Sequence, residues 1–534
     1  MRIMLPALTA TGLLAQTPAL APRVQEAPLR AHLAFLADDL LEGRGTGQRG
    51  AELTVRYLET QLQTLGLKPV IGTSYRQAVS LLGLKTQINR SVLSFQGGGA
   101  CATPAFGTEI VFGSGQAKAE QAFEAPVVFV GFGIDAPEYR WDDYKGVDLR
   151  GKVLLMMVNE PAPTAAEPGL FDGSNLSVYG RWTTKFEMAA KHGAAGVLLI
   201  HTTASATYGW PVVRTGWEGA ERFSLAKGPE GTGLQGWVTE DTARALLKQA
   251  GQNLDTLRAQ AQSRAFRPVP LDLTVKGQLH STVRIIEQFN VAGVVPGTDP
   301  ALKDEMVVYT AHWDHLGKGG ELTVDSHSGP AKDDIYNGAV DNASGCAALL
   351  AMAQVARHAP AKRSQMFLFV CAEEQGLLGS KAYAAQPLWP LSRTVANLNL
   401  DSLNFVGPTR DIGLPFGERS TLGDLGAAVA KASGLRLDPG GPDTGGGYFR
   451  SDHYSFVKAG VPALSVGGGS DYLGNDVPAL KAKAAAYGSR YHQVTDEYDP
   501  TWDLRGMVQQ AQFTFDLGQA VANGATRPTF KPIK

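Results

Sequence analysis

The stretch MFLFVCAEEQGLLGS, residues 366–380, joins an unbroken apolar run to two adjacent glutamates, Glu373 and Glu374. A short apolar run of this kind reads as a strand buried on both faces, the signature of a parallel sheet wrapped by helices. Unpaired carboxylates are costly to bury. A buried strand that ends in two of them must therefore face something that compensates their charge.

Working outward from that strand, the same alternation recurs. MVVYTAHWDH (306–315) reads as a strand with polar residues at its end, and NASGCAALLAMAQVARHA (342–359) as a helix. RTVANLNLDSL (393–403) reads as a strand, LGDLGAAVAKASG (422–434) as a helix capped by Gly434, and GVPALSVGGG (460–469) as a strand. Strands alternating with helices give an α/β fold, a mixed β-sheet covered by helices on both faces.

Toward the N-terminus the pattern changes. Residues 29–67 carry apolar side chains at three- and four-residue spacing and read as helices separated by the glycine-rich loop 43–50. From about residue 107 to 268 the chain is β-rich, with APVVFVGFGI, GKVLLMMV and GAAGVLLIH as strands and the face of Trp182, Phe186, Ala189 and Ala190 as a helix. The expected organisation is a signal segment at 1–21, a helical N-terminal part at 22–106, a β-rich insertion at 107–268 and a second α/β domain at 283–525.

The 534 residues exceed one ordinary domain. Net charge is −2, and no basic stripe with interleaved aromatics occurs, so nucleic acid is excluded as a partner. MRIMLPALTATGLLAQTPALA reads as a short export signal cleaved near Ala21. No later run reaches the ~18 apolar residues of a membrane span. The three cysteines, Cys101, Cys346 and Cys371, form no CxxC pair. A periplasmic or extracellular monomer is expected.

In open α/β sheets, chemistry gathers at the carboxyl ends of the strands. His312 and Asp314 stand after one strand, Glu373 and Glu374 after the next, and Asp401 after a third; Asp341 precedes a helix, and Tyr491 and His492 lie in YHQVTDEYD. Singly, each has a plain structural role, such as an N-cap for Asp341 or a helix-dipole contact for the glutamates. Together, two histidines and several carboxylates on one edge suit a divalent metal such as zinc, and their number suits two ions sharing a carboxylate.

The ordered set AHWDH, GAVDNASG, CAEEQGLLGS, NLNLDS, RSDHYSF and YHQVTDEYD resembles the M28 family of dinuclear zinc aminopeptidases over about 283–519. Two further segments, VVFVGFGIDAPEYRWDDYKGVDLRGKVLLMM and YGRWTTKFEMAAKHGAAGVLLIH, resemble the protease-associated domain that some members insert. The resemblance implies that His312, Asp341 and Asp401 bind one zinc. Asp341, Glu374 and His492 would bind the other, with Asp341 bridging. It makes Asp314 the group that orients the His312 imidazole, Glu373 the general base and Tyr491 a donor to the developing oxyanion. Arg450 becomes a substrate contact. His327, in the polar loop 316–340, is left outside the set.

The expected activity is removal of N-terminal residues from peptides with a free N-terminus. Carboxypeptidase, glutaminyl cyclase and a non-catalytic binding homologue are the alternatives on the same fold. A carboxypeptidase should gather several arginines at the site, and Arg450 is the one obvious candidate in the sequence. The chain contains neither GxSxG nor HExxH, which removes serine hydrolases of that type and zincins.

Overall fold

The computed structural model describes residues 23–217, 221–319, 324–325, 329–330 and 333–532. The expected signal segment and His327 lie outside the described residues.

A mixed sheet of 14 strands runs through the molecule. At one end, Ala463–Ser465, Thr394–Asn399, Met306–His312 and Ser364–Val370 lie side by side and parallel. Their side chains alternate between two apolar layers, as the pleat requires. Val307, Tyr309, Ala311, Phe367 and Phe369 enter the larger core, with the helices Glu26–Leu36, Arg49–Thr64, Ser344–His358 and Arg505–Asn523. Met306, Val308, Met366, Leu368 and Val370 point the other way, toward Tyr383 and Phe456 of the helices Leu378–Ala385 and His453–Lys458. Burial on both faces is why these strands read as continuous apolar runs. The α/β sheet with helices on both faces is the architecture expected from the sequence.

The other end of the sheet is built from Glu120–Phe129, Val153–Met157, Gly196–His201 and Leu234–Thr239, again mutually parallel, with Ile110–Gly113 antiparallel at the edge. It has separate apolar cores on its two faces.

One strand joins the two ends. Val269–Val295 is 27 residues long. Its first part pairs with Glu120–Phe129 and its last part with Ser364–Val370. The interval between 268 and 283, left unassigned by the sequence reading, is continuous strand. The segment 22–106 also differs from its helical reading. After its two helices it forms the strands Arg76–Thr86, Val92–Gly97 and Ala100–Ala102, the first of which pairs along Val269–Val295. These strands alternate buried and exposed residues with frequent polar side chains, so they lack the apolar runs that mark the central strands.

Candidate metal centre

The parallel register brings three strand ends to one edge. His312 is the last residue of its strand and pairs with Val370, whose chain continues into Cys371, Ala372 and the two glutamates. Asp401 follows Thr394–Asn399 by two residues. Asp341 lies in a short irregular turn ahead of the helix Ser344–His358, joined to Asn342 by a cis peptide. It caps no helix.

The distances define the centre. His312 Nε2 stands 3.2 Å from Asp341 Oδ1 and 3.5 Å from Asp401 Oδ1. His492 Nε2 stands 3.2 Å from Asp341 Oδ2 and 3.1 Å from Glu374 Oε2. The two oxygens of Asp341 therefore face different histidines. Glu373 Oε2 lies 4.0 Å from His312 Nε2, and the residue is 9% exposed. His312, Asp341 and Glu374, and likewise His312, Glu373 and Asp401, bring donor atoms close enough to hold an ion.

The electrostatics follow from crowding. Burial and repulsion from Glu374 and Asp401 push the Glu373 carboxyl well above its ordinary range, against the pull of His312. Burial opposes charge on His492, but Glu374 and Asp341 outweigh it and hold its pKa up to about 10. Burial likewise opposes the Glu374 carboxylate, yet His492 and His315 draw it down to about 2. The site is a knot of carboxylates that calls for positive charge. Its mix of imidazole nitrogen and carboxylate oxygen fits zinc. His492 Nε2 reaches both carboxylates by distance but has hydrogen-bond geometry to neither, as a nitrogen aimed at a shared cation would.

The surrounding shell holds these groups in place. Asp314 is expected to orient His312 through its other nitrogen. His312 Nδ1 meets the main-chain oxygen of Asp314 at 3.1 Å, with the carboxylate at 3.9 Å. That carboxylate accepts the backbone N–H groups of Glu373 at 3.0 Å and Glu374 at 3.4 Å, so it fixes the glutamate turn. Asn290 fixes the same turn from below. It accepts the N–H of Cys371 and donates to the carbonyl of Gly379. A side chain at Gly379 would strike Cys371 and Asn290. Ser451 donates to Asp401 Oδ2 at 2.6 Å and accepts from Asn399.

Several contributors carry no role in the sequence reading. His315 Nδ1 bonds Glu374 Oε1 at 2.7 Å; its place in AHWDH was the available signal. Asp496 accepts the N–H groups of Val340 and Asp341. Arg44 is 1% exposed and donates to four main-chain carbonyls, those of Leu36, Trp313, Asn337 and Gly338. It ties the chain next to His312 to the chain next to Asp341, and nothing in GRGTG announces that. Tyr491 stacks on His492 with ring centroids 3.9 Å apart and is 37% exposed. Arg450 lies within electrostatic reach of Tyr491 and Glu373.

Residues 290–515 match the profile of peptidase family M28. The fold resembles that of an aminopeptidase from Aneurinibacillus sp. strain AM-1, with TM-score 0.54, 19% identity, and 96% of this chain and 97% of that one covered. A zinc aminopeptidase from Bacillus subtilis gives TM-score 0.48 and 17% identity, covering 96% of this chain and 99% of the other. A peptidase M28 precursor from Shewanella amazonensis gives TM-score 0.43 and 17% identity over 95% and 99%. No curated protein matches the chain by sequence.

Proposed function

Since residues 290–515 form a domain of peptidase family M28, and the protein is accordingly a metallo-exopeptidase hydrolase, we propose that it removes N-terminal residues from peptides at a two-zinc centre. The observation that carries this reading is the split of Asp341 between two histidines, with Asp401 beside one and Glu374 beside the other. His312, Asp341 and Asp401 would hold one ion. Asp341, Glu374 and His492 would hold the second.

Bound zinc supplies Lewis-acid activation of water and of the peptide carbonyl, and offsets the repulsion among the carboxylates. The chain supplies the rest. Glu373, close to both groups yet engaged by no side-chain hydrogen bond among the described residues, takes the proton of the attacking water and delivers it to the leaving amine. Tyr491, fixed by stacking on His492, donates toward the developing oxyanion. Arg450 contacts substrate. Asp314, Asn290 and Ser451 move no proton; they hold Glu373, Glu374 and Asp401 at fixed positions.

The β-rich end, with its own two cores, is proposed to be an inserted protease-associated domain. Export is proposed on the N-terminal apolar stretch. Among the described residues no helix is long and apolar enough to cross a membrane.

The test is hydrolysis of aminoacyl-p-nitroanilides, with zinc counted per chain. Release of p-nitroaniline at two zincs per chain supports the proposal. Equal hydrolysis of N-acetylated and free peptides would remove the aminopeptidase reading.

A further inference from the structure

The two ends of the sheet meet at a seam. Arg181 Nη1 donates to the carbonyl of Gly445 at 3.2 Å, and the N–H of Leu176 donates to the carbonyl of Asp443 at 2.8 Å. A second contact involves the glutamate turn itself. Between the helix Trp210–Thr215 and the strand Leu234–Thr239, both in the β-rich interval, the chain crosses to the catalytic end and forms the short strand Arg222–Leu225. It pairs antiparallel with Leu81–Leu84 and, among the described residues, with no other strand.

Phe223 anchors this strand. Its ring enters the apolar core of the catalytic end, with the Arg284 guanidinium 5.9 Å from its centroid. Arg284 also grips Glu221 through bonds of 2.7 and 2.6 Å. Gly83, opposite Phe223, leaves room for the ring; a Cβ there would lie 2.8 Å from Phe223 Cε1. An edge strand leaves the N–H groups of its outer side without a partner in the sheet. The N–H of Phe223 finds its acceptor outside the sheet, in Gln375 Oε1 at 3.1 Å. Gln375 directly follows Glu374.

The turn that carries Gln375 needs such a hold. Ala372 and Leu377, at its two ends, have φ of 52° and 63°, left-handed conformations that non-glycine residues keep only where the surroundings fix them. Within it, the N–H groups of Gly376 and Leu377 both donate to the carbonyl of Glu373 at 2.8 Å. Asp314 accepts the N–H groups of Glu373 and Glu374. Gln375 adds a tie from the turn to the β-rich interval.

We infer that Gln375 is a positioning residue: by accepting the Phe223 N–H it fastens the Glu373–Glu374 turn to the strand Arg222–Leu225, so that the β-rich interval helps set where the base and the zinc ligand stand. The inference rests on the peptidase reading above. It gives Gln375 no contact of its own with substrate or metal.

The test uses the full-length, zinc-loaded enzyme and leucyl-p-nitroanilide. Gln375→Met keeps the length of the side chain and removes the acceptor; Gln375→Glu keeps an acceptor at the same reach. Gln375→Met should lower kcat by about fivefold, the size of one lost hydrogen bond, with KM within about twofold. It should also weaken zinc binding by about tenfold in competition with a chelator. Gln375→Glu should recover most of both. Hydrogen exchange of a peptide spanning 222–225 should quicken in Gln375→Met alone. Wild-type kcat and zinc affinity in Gln375→Met, or a Gln375→Glu as impaired as Gln375→Met, overturn the positioning role, and so does exchange at 222–225 that is the same in all three proteins. Should Gln375→Met not fold, Arg284→Ala loosens the same strand without touching the turn and should also lower kcat; an unchanged kcat there overturns the coupling. A wild type that hydrolyses no aminoacyl substrate, with weaker zinc binding still found in Gln375→Met, overturns the peptidase reading and leaves the positioning role standing.

Discussion

Both ends of the sheet contain parallel strands with fully buried apolar runs: VLLMM at Val153–Met157 and GVLLIH at Gly196–His201 in one, MVVYTAH at Met306–His312 and SQMFLFV at Ser364–Val370 in the other. Beyond the strands they diverge. At the catalytic end, His312, Glu373, Glu374 and Asp401 converge, and the local charge is dominated by carboxylates. In the β-rich end the buried acids are satisfied one by one. Asp143 accepts the N–H of Ile134 and the indole N–H of Trp141, and Glu160 accepts from Ser177. Lys185 is fully buried near both acids, under the Phe132 ring at 6.0 Å. A parallel sheet offers the same platform twice; the residues placed just past the strands decide whether it carries chemistry.

The largest expected effect separates the two ends directly. Glu373→Gln should lower kcat by about 10²–10⁴ with zinc content unchanged, whereas Asp143→Asn should leave kcat within about twofold. Steady-state kinetics beside metal analysis reads both, and a residual wild-type rate in Glu373→Gln would break the contrast. On the two-zinc proposal, Asp341→Ala should reduce zinc from two per chain to less than one, because one carboxylate would serve both positions; equilibrium dialysis against chelator measures it.

Arg44→Met should destabilise the catalytic end by about 3 kcal/mol in urea unfolding, since four buried carbonyls lose their donor. A smaller effect sharpens the comparison from the other side. Burial drives the Lys185 pKa down to about 7 from 10.5, despite Glu160 and Asp143. Between those values the unfolded chain binds more protons than the folded one, so this group makes stability rise with pH. Lys185→Met should remove that rise, so that any advantage of the variant over wild type shrinks from pH 7 to pH 10. An advantage that grows with pH would reverse the assignment.

Much of the candidate centre was legible because its donors cling to strand ends. His312, Glu373, Glu374 and Asp401 each follow an apolar run closely enough for the run to place them. The supports were not legible in the same way. Arg44, Asn290, Asp496 and Arg181 act through main-chain carbonyls, N–H groups or seam contacts contributed by segments far away in sequence. Hydrogen bonds of that kind leave no periodic trace. The role of Asp314 shows the same limit. The sequence places it two residues from His312, but which of its oxygens meets the imidazole depends on the path of the glutamate turn. The strand Val269–Val295 escaped as well, because much of it mixes polar with apolar residues and forms no long apolar run; its pairing with Arg76–Thr86 and Glu120–Phe129 is what shows it.

By itself the sequence determined the α/β class and the likeness of residues 290–515 to peptidase family M28, through apolar periodicity and an ordered series of short polar motifs. Those signals are local, and local patterning is set by which faces must be buried. The tertiary structure alone decided the split of Asp341 between two histidines, the scaffold around the glutamates and the seam contact of Arg181 with Gly445. These are distances between residues remote in the chain, and only closing the sheet and packing its two ends together could set them.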